Sequence, residues 1–79
     1  MENSTVKLHS AEQRVFDILT RHNGKRLESE LETNFNLASP GSYTRSQLKR
    51  MFAHTMYGLE RKELIHRENQ MVYTTEAWI

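Results

Sequence analysis

The segment LERKELIHRENQMVYTTE, residues 59–76, changes its hydrophobic pattern part-way along. Its first residues continue a helical apolar stripe, whereas residues 64–67 and 71–74 form two short strand-like runs. The polar residues 68–70 lie between these runs, and that arrangement predicts a β-hairpin. We therefore expect a helix to end near residue 61 and a small antiparallel hairpin to follow it directly.

Upstream of the hairpin, three pairs of residues have the spacing of a capping box, in which two side chains satisfy each other's backbone amides. The pairs are Ser10 with Gln13, Ser29 with Glu32, and Thr44 with Gln47. They predict helices at about 10–22, 30–35 and 45–61. Residues 25–28 are expected to be a short extended piece. The Asn, Ser, Pro and Gly content of residues 36–43 predicts a loop.

The third predicted helix is amphipathic. At about 100° per residue, its candidate core side chains fall within one arc. They are Leu48, Met51, Phe52, Thr55, Met56 and Leu59. The opposite side of the helix carries a polar set, namely Ser46, Gln47, Arg50, His54, Tyr57 and Arg61. We therefore expect one face of this helix to be buried and the other to face solvent.

Length and composition predict a single small domain. With 79 residues, we expect a flexible N-terminal tail at 1–9 and a folded domain at 10–79. The sequence has no cysteine, which excludes disulfides and thiolate metal sites. It has no apolar run that suits a membrane span or a secretory signal, so we expect a cytoplasmic protein with no membrane partner. Trp78 and Ile79 are expected to pack on helix 1 or on a partner chain, which would make a homodimer.

Charge is unevenly distributed along the chain. The formal net charge is only +1, yet residues 41–59 contain three bases and no acid. The bases are Arg45, Lys49 and Arg50. A basic segment of this kind attracts anionic partners, although a solvated helix face has the same pattern.

The order of helix, short helix, loop, long helix and hairpin resembles the winged helix-turn-helix family. In that family the recognition helix is followed by the pattern L-x-x-x-x-L-I and a two-stranded wing. Residues 59–65, LERKELI, match this pattern, and residues 71–73 supply the returning strand. The resemblance implies an α+β fold with three helices and a small C-terminal β-hairpin wing. One departure is the stretch 36–43, which is longer than the usual turn of about three or four residues.

The resemblance also implies a function, which is that of a sequence-specific module for double-stranded DNA in a small transcriptional regulator. Helix 3, at about 45–61, would enter the major groove, and the wing at 66–71 would contact the DNA backbone. Gln47 and Arg50 suit base edges, because Gln pairs with adenine and Arg with guanine. The remaining candidates suit phosphates and the DNA backbone; they are Arg45, Ser46, Lys49, His54, Tyr57, Arg67 and Asn69.

A second hypothesis keeps the winged fold but gives it a protein partner, such as a polymerase or nuclease complex that it modulates. The low net charge and the acidic run ESELE favour this alternative. Enzymatic activity is not expected, because the chain has no Gly-rich phosphate loop, Cys nucleophile or isolated carboxylate pair. No metal or cofactor is expected either, since His54 and His66 lack the i, i+4 spacing of a metal site.

Overall fold

The computed structural model describes residues 8–78. In chain order the elements are α1 (Ser10–Arg21), β1 (Lys25–Leu27), α2 (Glu28–Ala38), α3 (Arg45–Arg61), β2 (Ile65–Glu68), β3 (Met71–Thr74) and α4 (Thr75–Trp78). The fold class is α+β, as the sequence predicts. Most of the predicted N-terminal tail, residues 1–7, lies outside the described residues, and Leu8 packs against the core.

The start of α1 differs from the sequence prediction. Ser10 was expected to cap this helix, but the N-cap is His9, whose backbone N–H donates to Glu12 Oε1 at 3.0 Å. The capping box between Ser10 and Gln13 is therefore wrong, because the buried Glu12 takes the N3 position. At the other end, Gly24 has a φ of 83°, and a Cβ there would lie 2.8 Å from Ala77 Cβ. Glycine allows the chain to turn tightly from α1 into β1.

Helix α2 is longer than the predicted 30–35. It begins at Glu28, with Leu27 as N-cap and no side-chain capping bond, so the predicted capping box of Ser29 and Glu32 is wrong. The backbone N–H of Glu28 instead donates to the carbonyl of Gln70 at 2.8 Å. A contact with the distant hairpin thus satisfies the first amide of α2. The helix also continues through 36–38, which the sequence assigned to the loop.

Helix α3 has the bounds that its sequence predicts, 45–61. Its capping box is confirmed, since Gln47 N–H donates to Thr44 Oγ1 at 3.1 Å and Thr44 N–H donates to Gln47 Oε1 at 2.8 Å. Of the predicted core arc, four residues are buried and two are partly buried. The buried four are Phe52, Thr55, Met56 and Leu59, and the partly buried two are Leu48 and Met51.

In the described part of the chain, the sheet has three strands, because β1 pairs with the predicted two-stranded hairpin. The strand order is β1-β3-β2 and both pairings are antiparallel. The bend of the hairpin is narrower than the predicted 68–70, because Glu68 belongs to β2 and the turn is Asn69-Gln70. These two residues have φ values of 52° and 67°. Positive φ at both central residues is the geometry of a two-residue hairpin turn.

One hydrophobic core lies between the three long helices and the inner face of the sheet. Its buried side chains are Val15, Ile18, Leu19, Leu31, Phe35, Phe52, Met56, Leu59, Ile65 and Val72. Phe35 of α2 and Phe52 of α3 are neighbours with ring centroids 5.5 Å apart. The core thus holds α3 by one face only, which leaves its polar face exposed.

The chain end covers the outer face of the sheet. Trp78 stacks on His66 at 5.0 Å and meets Tyr73 edge-on at 5.1 Å between ring centroids. Within this chain, Trp78 therefore packs on the sheet, and the expectation that it packs on helix 1 is wrong. Ile79 lies outside the described residues. No helix in the described part of the chain has the length and apolar character needed to cross a membrane.

A partly buried ion pair joins the start of α1 to the end of α3. Glu12 is 5 % exposed, and its Oε1 lies 2.5 Å from Lys62 Nζ. Its second oxygen, Oε2, occupies the space that a Cβ on Gly58 would need. This close approach explains why a glycine lies inside α3, where glycine costs about 1 kcal/mol of helix propensity relative to alanine.

Replacing Gly58 with alanine tests this close approach. Alanine gains about 1 kcal/mol of helix propensity over glycine, but its Cβ displaces the Glu12 carboxylate. We expect a net loss of about 1–3 kcal/mol in the free energy of unfolding, measured by urea denaturation. Gly41→Ala is the matched control, because nothing lies within 4 Å of a Cβ there. Equal stability of the two variants would contradict the proposed packing role of Gly58.

The ion pair also predicts an acid-dependent loss of stability. Burial raises the pKa of Glu12, but hydrogen bonds from Lys62 and from the His9 backbone outweigh burial, so this pKa lies below its ordinary value of 4.5. A lowered folded-state pKa stabilises the fold above the unfolded-state pKa, and this contribution is lost as pH falls through the folded-state value. Glu12→Gln should therefore flatten the pH dependence of unfolding free energy below about pH 4.5. Glu32→Gln is the control, and an equal flattening in it would refute the assignment.

Candidate nucleic-acid interface

The exposed face of α3 is the main candidate surface. Arg50, His54, Tyr57 and Arg61 follow one another at i, i+4, i+7 and i+11. This spacing aligns them along one side of a helix, opposite the buried arc. All four are exposed. We call these four residues the α3 stripe.

The other predicted residues of α3 lie at its start. Arg45, Ser46, Gln47 and Lys49 are exposed. Gln47, however, uses its side-chain oxygen to accept the Thr44 backbone N–H at 2.8 Å. A bidentate contact with adenine needs both the oxygen and the amide nitrogen. The capping role therefore competes with the base contact that the sequence suggested for Gln47.

Two residues at the end of the stripe form a pair of their own. Tyr57 is 58 % exposed, and the guanidinium carbon of Arg61 lies 5.7 Å from the centroid of its ring. Arg61 was not among the predicted site residues. Its spacing of i+4 from Tyr57 and i+11 from Arg50 is the signal that would have found it. The pair extends the positive surface to the last turn of α3.

Arg67 lies in the strand-like run 64–67 that the sequence predicts, but its side chain is engaged within the fold. It belongs to β2, before the turn, and its guanidinium is held by two carboxylates. Nη2 lies 2.7 Å from Glu60 Oε1, and Nη1 lies 3.1 Å from Glu28 Oε2. The hydrogen bond to Glu60 raises the pKa of Arg67. Because both Nη atoms are occupied, Arg67 connects α2, α3 and β2, and a phosphate would have to displace Glu28 or Glu60 to reach it.

Asn69 is the predicted residue that lies on the hairpin. It is exposed at the first position of the two-residue turn. The next residue, Gln70, accepts the Glu28 backbone N–H through its carbonyl, so the turn is tied to the start of α2. The candidate surface thus has two separate parts, the face of α3 and the tip of the hairpin.

Two carboxylates at the C-terminal end of α3 are paired with bases. Glu60 is bound by Arg67, and Glu12 is bound by Lys62. Arg45, Lys49 and Arg50 come from the acid-free stretch at 41–59. The exposed face of α3 is therefore locally basic although the whole chain carries only +1. Local charge rather than net charge sets the field that an approaching anion meets.

A groove runs along the α1 side of the stripe. It has a volume of about 450 Å³ and lies between the start of α1, the loop before α3 and the first turns of α3. Its lining includes His9, Tyr43, Arg50, Met51 and His54. Arg50 therefore belongs both to the α3 stripe and to the groove.

Comparisons with protein-family models, curated proteins and solved structures find no match for this chain. The function is therefore inferred from the geometry and charge of the surface itself.

Removing Arg67 tests whether this residue is structural. Arg67→Gln breaks both partly exposed ion pairs, and each such pair contributes about 0–1 kcal/mol. We expect a loss of about 1 kcal/mol in unfolding free energy that shrinks as salt is added, because salt screens exposed charges. Lys25→Gln, on the exposed edge strand β1, is the control. If thermal unfolding of the two variants is identical at low salt, Arg67 does not stabilise the fold.

Proposed function

We propose that this chain is a winged-helix module that binds double-stranded DNA through α3, as part of a small transcriptional regulator. The observation that carries the proposal is the exposed basic face of a helix whose other face is buried, in a stretch, residues 41–59, that contains no acid. Three helices followed by a hairpin are also the order that the winged-helix resemblance implies. A major groove about 12 Å wide admits an α-helix of this kind.

Different residues of α3 would contact the bases and the phosphates of the DNA. Arg50 lies in the middle of the exposed face, where its fork suits the O6 and N7 atoms of guanine. Phosphate contacts fix the register of the helix but carry no sequence information. Their candidates are Arg45, Ser46, Lys49, His54, Tyr57 and Arg61, with Asn69 on the hairpin. Because one helix covers few base pairs, we propose that the module acts on DNA as a homodimer.

A protein-interaction module is the second candidate, and one observation favours it. Large apolar side chains are exposed on several elements, with Tyr57 at 58 % and Leu37 at 79 %. Exposed aromatic and apolar groups are common anchors of protein interfaces. This candidate gains weight if the chain fails to bind a DNA duplex at low salt.

Fluorescence anisotropy with a labelled duplex tests the DNA proposal. A random duplex, titrated at two salt concentrations, gives the salt dependence, and selection from a random library gives a preferred site. Arg50→Ala should cost about 1–3 kcal/mol at that site and relax the preference at one base. Lys49→Ala should weaken binding to every sequence and reduce the salt slope by about one.

Arg21→Ala is the matched control, because Arg21 is an exposed arginine at the far end of α1. It should leave both the affinity and the salt slope unchanged. Absence of duplex binding by the wild-type chain at low salt would refute the proposal. So would unchanged binding in both Arg50→Ala and Lys49→Ala.

A further inference from the structure

The groove beside α3 has features that DNA binding alone does not explain. We propose that it binds an acidic peptide segment of another protein, and that this segment inserts one large apolar side chain. The segment would use Arg50 and would therefore exclude DNA from α3. Only this competition rests on the proposed DNA-binding function, whereas peptide binding does not.

The size and floor of the groove suit a side chain. Its volume of about 450 Å³ lies within the range of about 300–1,000 Å³ that is typical of ligand pockets. Ala11 and Met51 contribute apolar surface to the lining, and both are only partly buried. Tyr43, on the loop before α3, adds a ring that is 40 % exposed. A tryptophan or leucine placed here would remove this apolar surface from water.

The charged side chains that line the groove favour an acidic partner. Two charged side chains line the groove, Arg50 and Glu12. Glu12 is neutralised, since its carboxylate accepts bonds from Lys62 and from the His9 backbone N–H. Arg50 has no ion-pair partner among residues 8–78. Its guanidinium can therefore take a carboxylate in a bidentate contact.

The combination of a basic rim and an apolar floor favours a peptide over DNA at this position. Phosphates satisfy Arg50, but a DNA backbone offers no large apolar side chain for Met51 and Tyr43. An acidic segment with one aromatic residue satisfies both parts. It also competes with DNA, because the same guanidinium cannot bind a carboxylate and a guanine edge at once. The groove would thus regulate the DNA-binding face directly.

A synthetic peptide provides the probe. Its sequence is one tryptophan flanked by aspartates, and it carries a fluorescein label for anisotropy measurements. One control peptide replaces the tryptophan with alanine, and the other replaces the aspartates with asparagines. We expect the probe to bind about tenfold more tightly than either control. No binding, or equal binding of the asparagine control, would overturn the proposal.

Protein variants distinguish peptide binding in the groove from DNA binding by α3. Met51→Gln makes the floor polar and keeps every base of α3, so peptide affinity should fall about tenfold while duplex affinity changes by less than about twofold. Leu37→Gln makes a similar change on α2, outside the groove, and should alter neither. Arg50→Ala should weaken both ligands. If Met51→Gln unfolds, Tyr43→Ser on the exposed loop replaces it in the same test.

Competition completes the experiment. Unlabelled probe should displace a labelled duplex from the wild-type chain, whereas the asparagine control should not. A stable complex of chain, duplex and probe would overturn the exclusion of DNA. Equal loss of peptide and duplex affinity in Met51→Gln would overturn a separate peptide site. Peptide binding without any duplex binding would support the groove and refute the DNA proposal, so the two failures are distinguishable.

Discussion

The contact between Glu12 and Lys62 is the constraint on which the arrangement of the helices depends. It joins the first turn of α1 to the C-cap residue of α3, two segments that lie far apart in the sequence. Glycine at position 58 leaves room for the carboxylate, and the same carboxylate caps α1 by accepting the His9 N–H. Because Glu12 is buried, removing Lys62 would leave its carboxylate without its charged partner. This interaction therefore caps α1 and links its first turn to the end of α3.

The same pairing decides the electrostatics of the candidate surface. Glu60 lies in the last turn of α3 and Glu12 packs beside that turn, and without partners both would reduce the attraction of α3 for anions. Lys62 and Arg67 neutralise these two carboxylates, so their negative charge does not offset the bases at the start and middle of α3. As a consequence, Arg67 is held in ion pairs within the fold and adds little to the exposed positive charge. A chain of net charge +1 thereby presents a basic helix face to its surroundings.

Local sequence patterns predicted the parts of the fold that local interactions determine. The bounds of α3 and its cap at Thr44 were predicted correctly, because the capping bonds join residues three apart. The hairpin was also predicted, although its turn is narrower. The start of α2 could not be predicted, since its first amide bonds to Gln70, far along the chain. The sequence predicted β1 only as a short extended piece, because three residues are too few to show an alternation of apolar and polar side chains.

The sequence by itself determined that the chain is α+β, that α3 is amphipathic and which of its side chains face outward. Periodicity suffices for these statements, because side chains three or four residues apart share a face of any helix. Only the tertiary structure decided which charges remain available. Arg67 is held by Glu28 and Glu60, whereas Arg50 has no ion-pair partner within residues 8–78. These two arginines look alike in the sequence, and their difference arises because packing brings carboxylates to one and an open groove to the other.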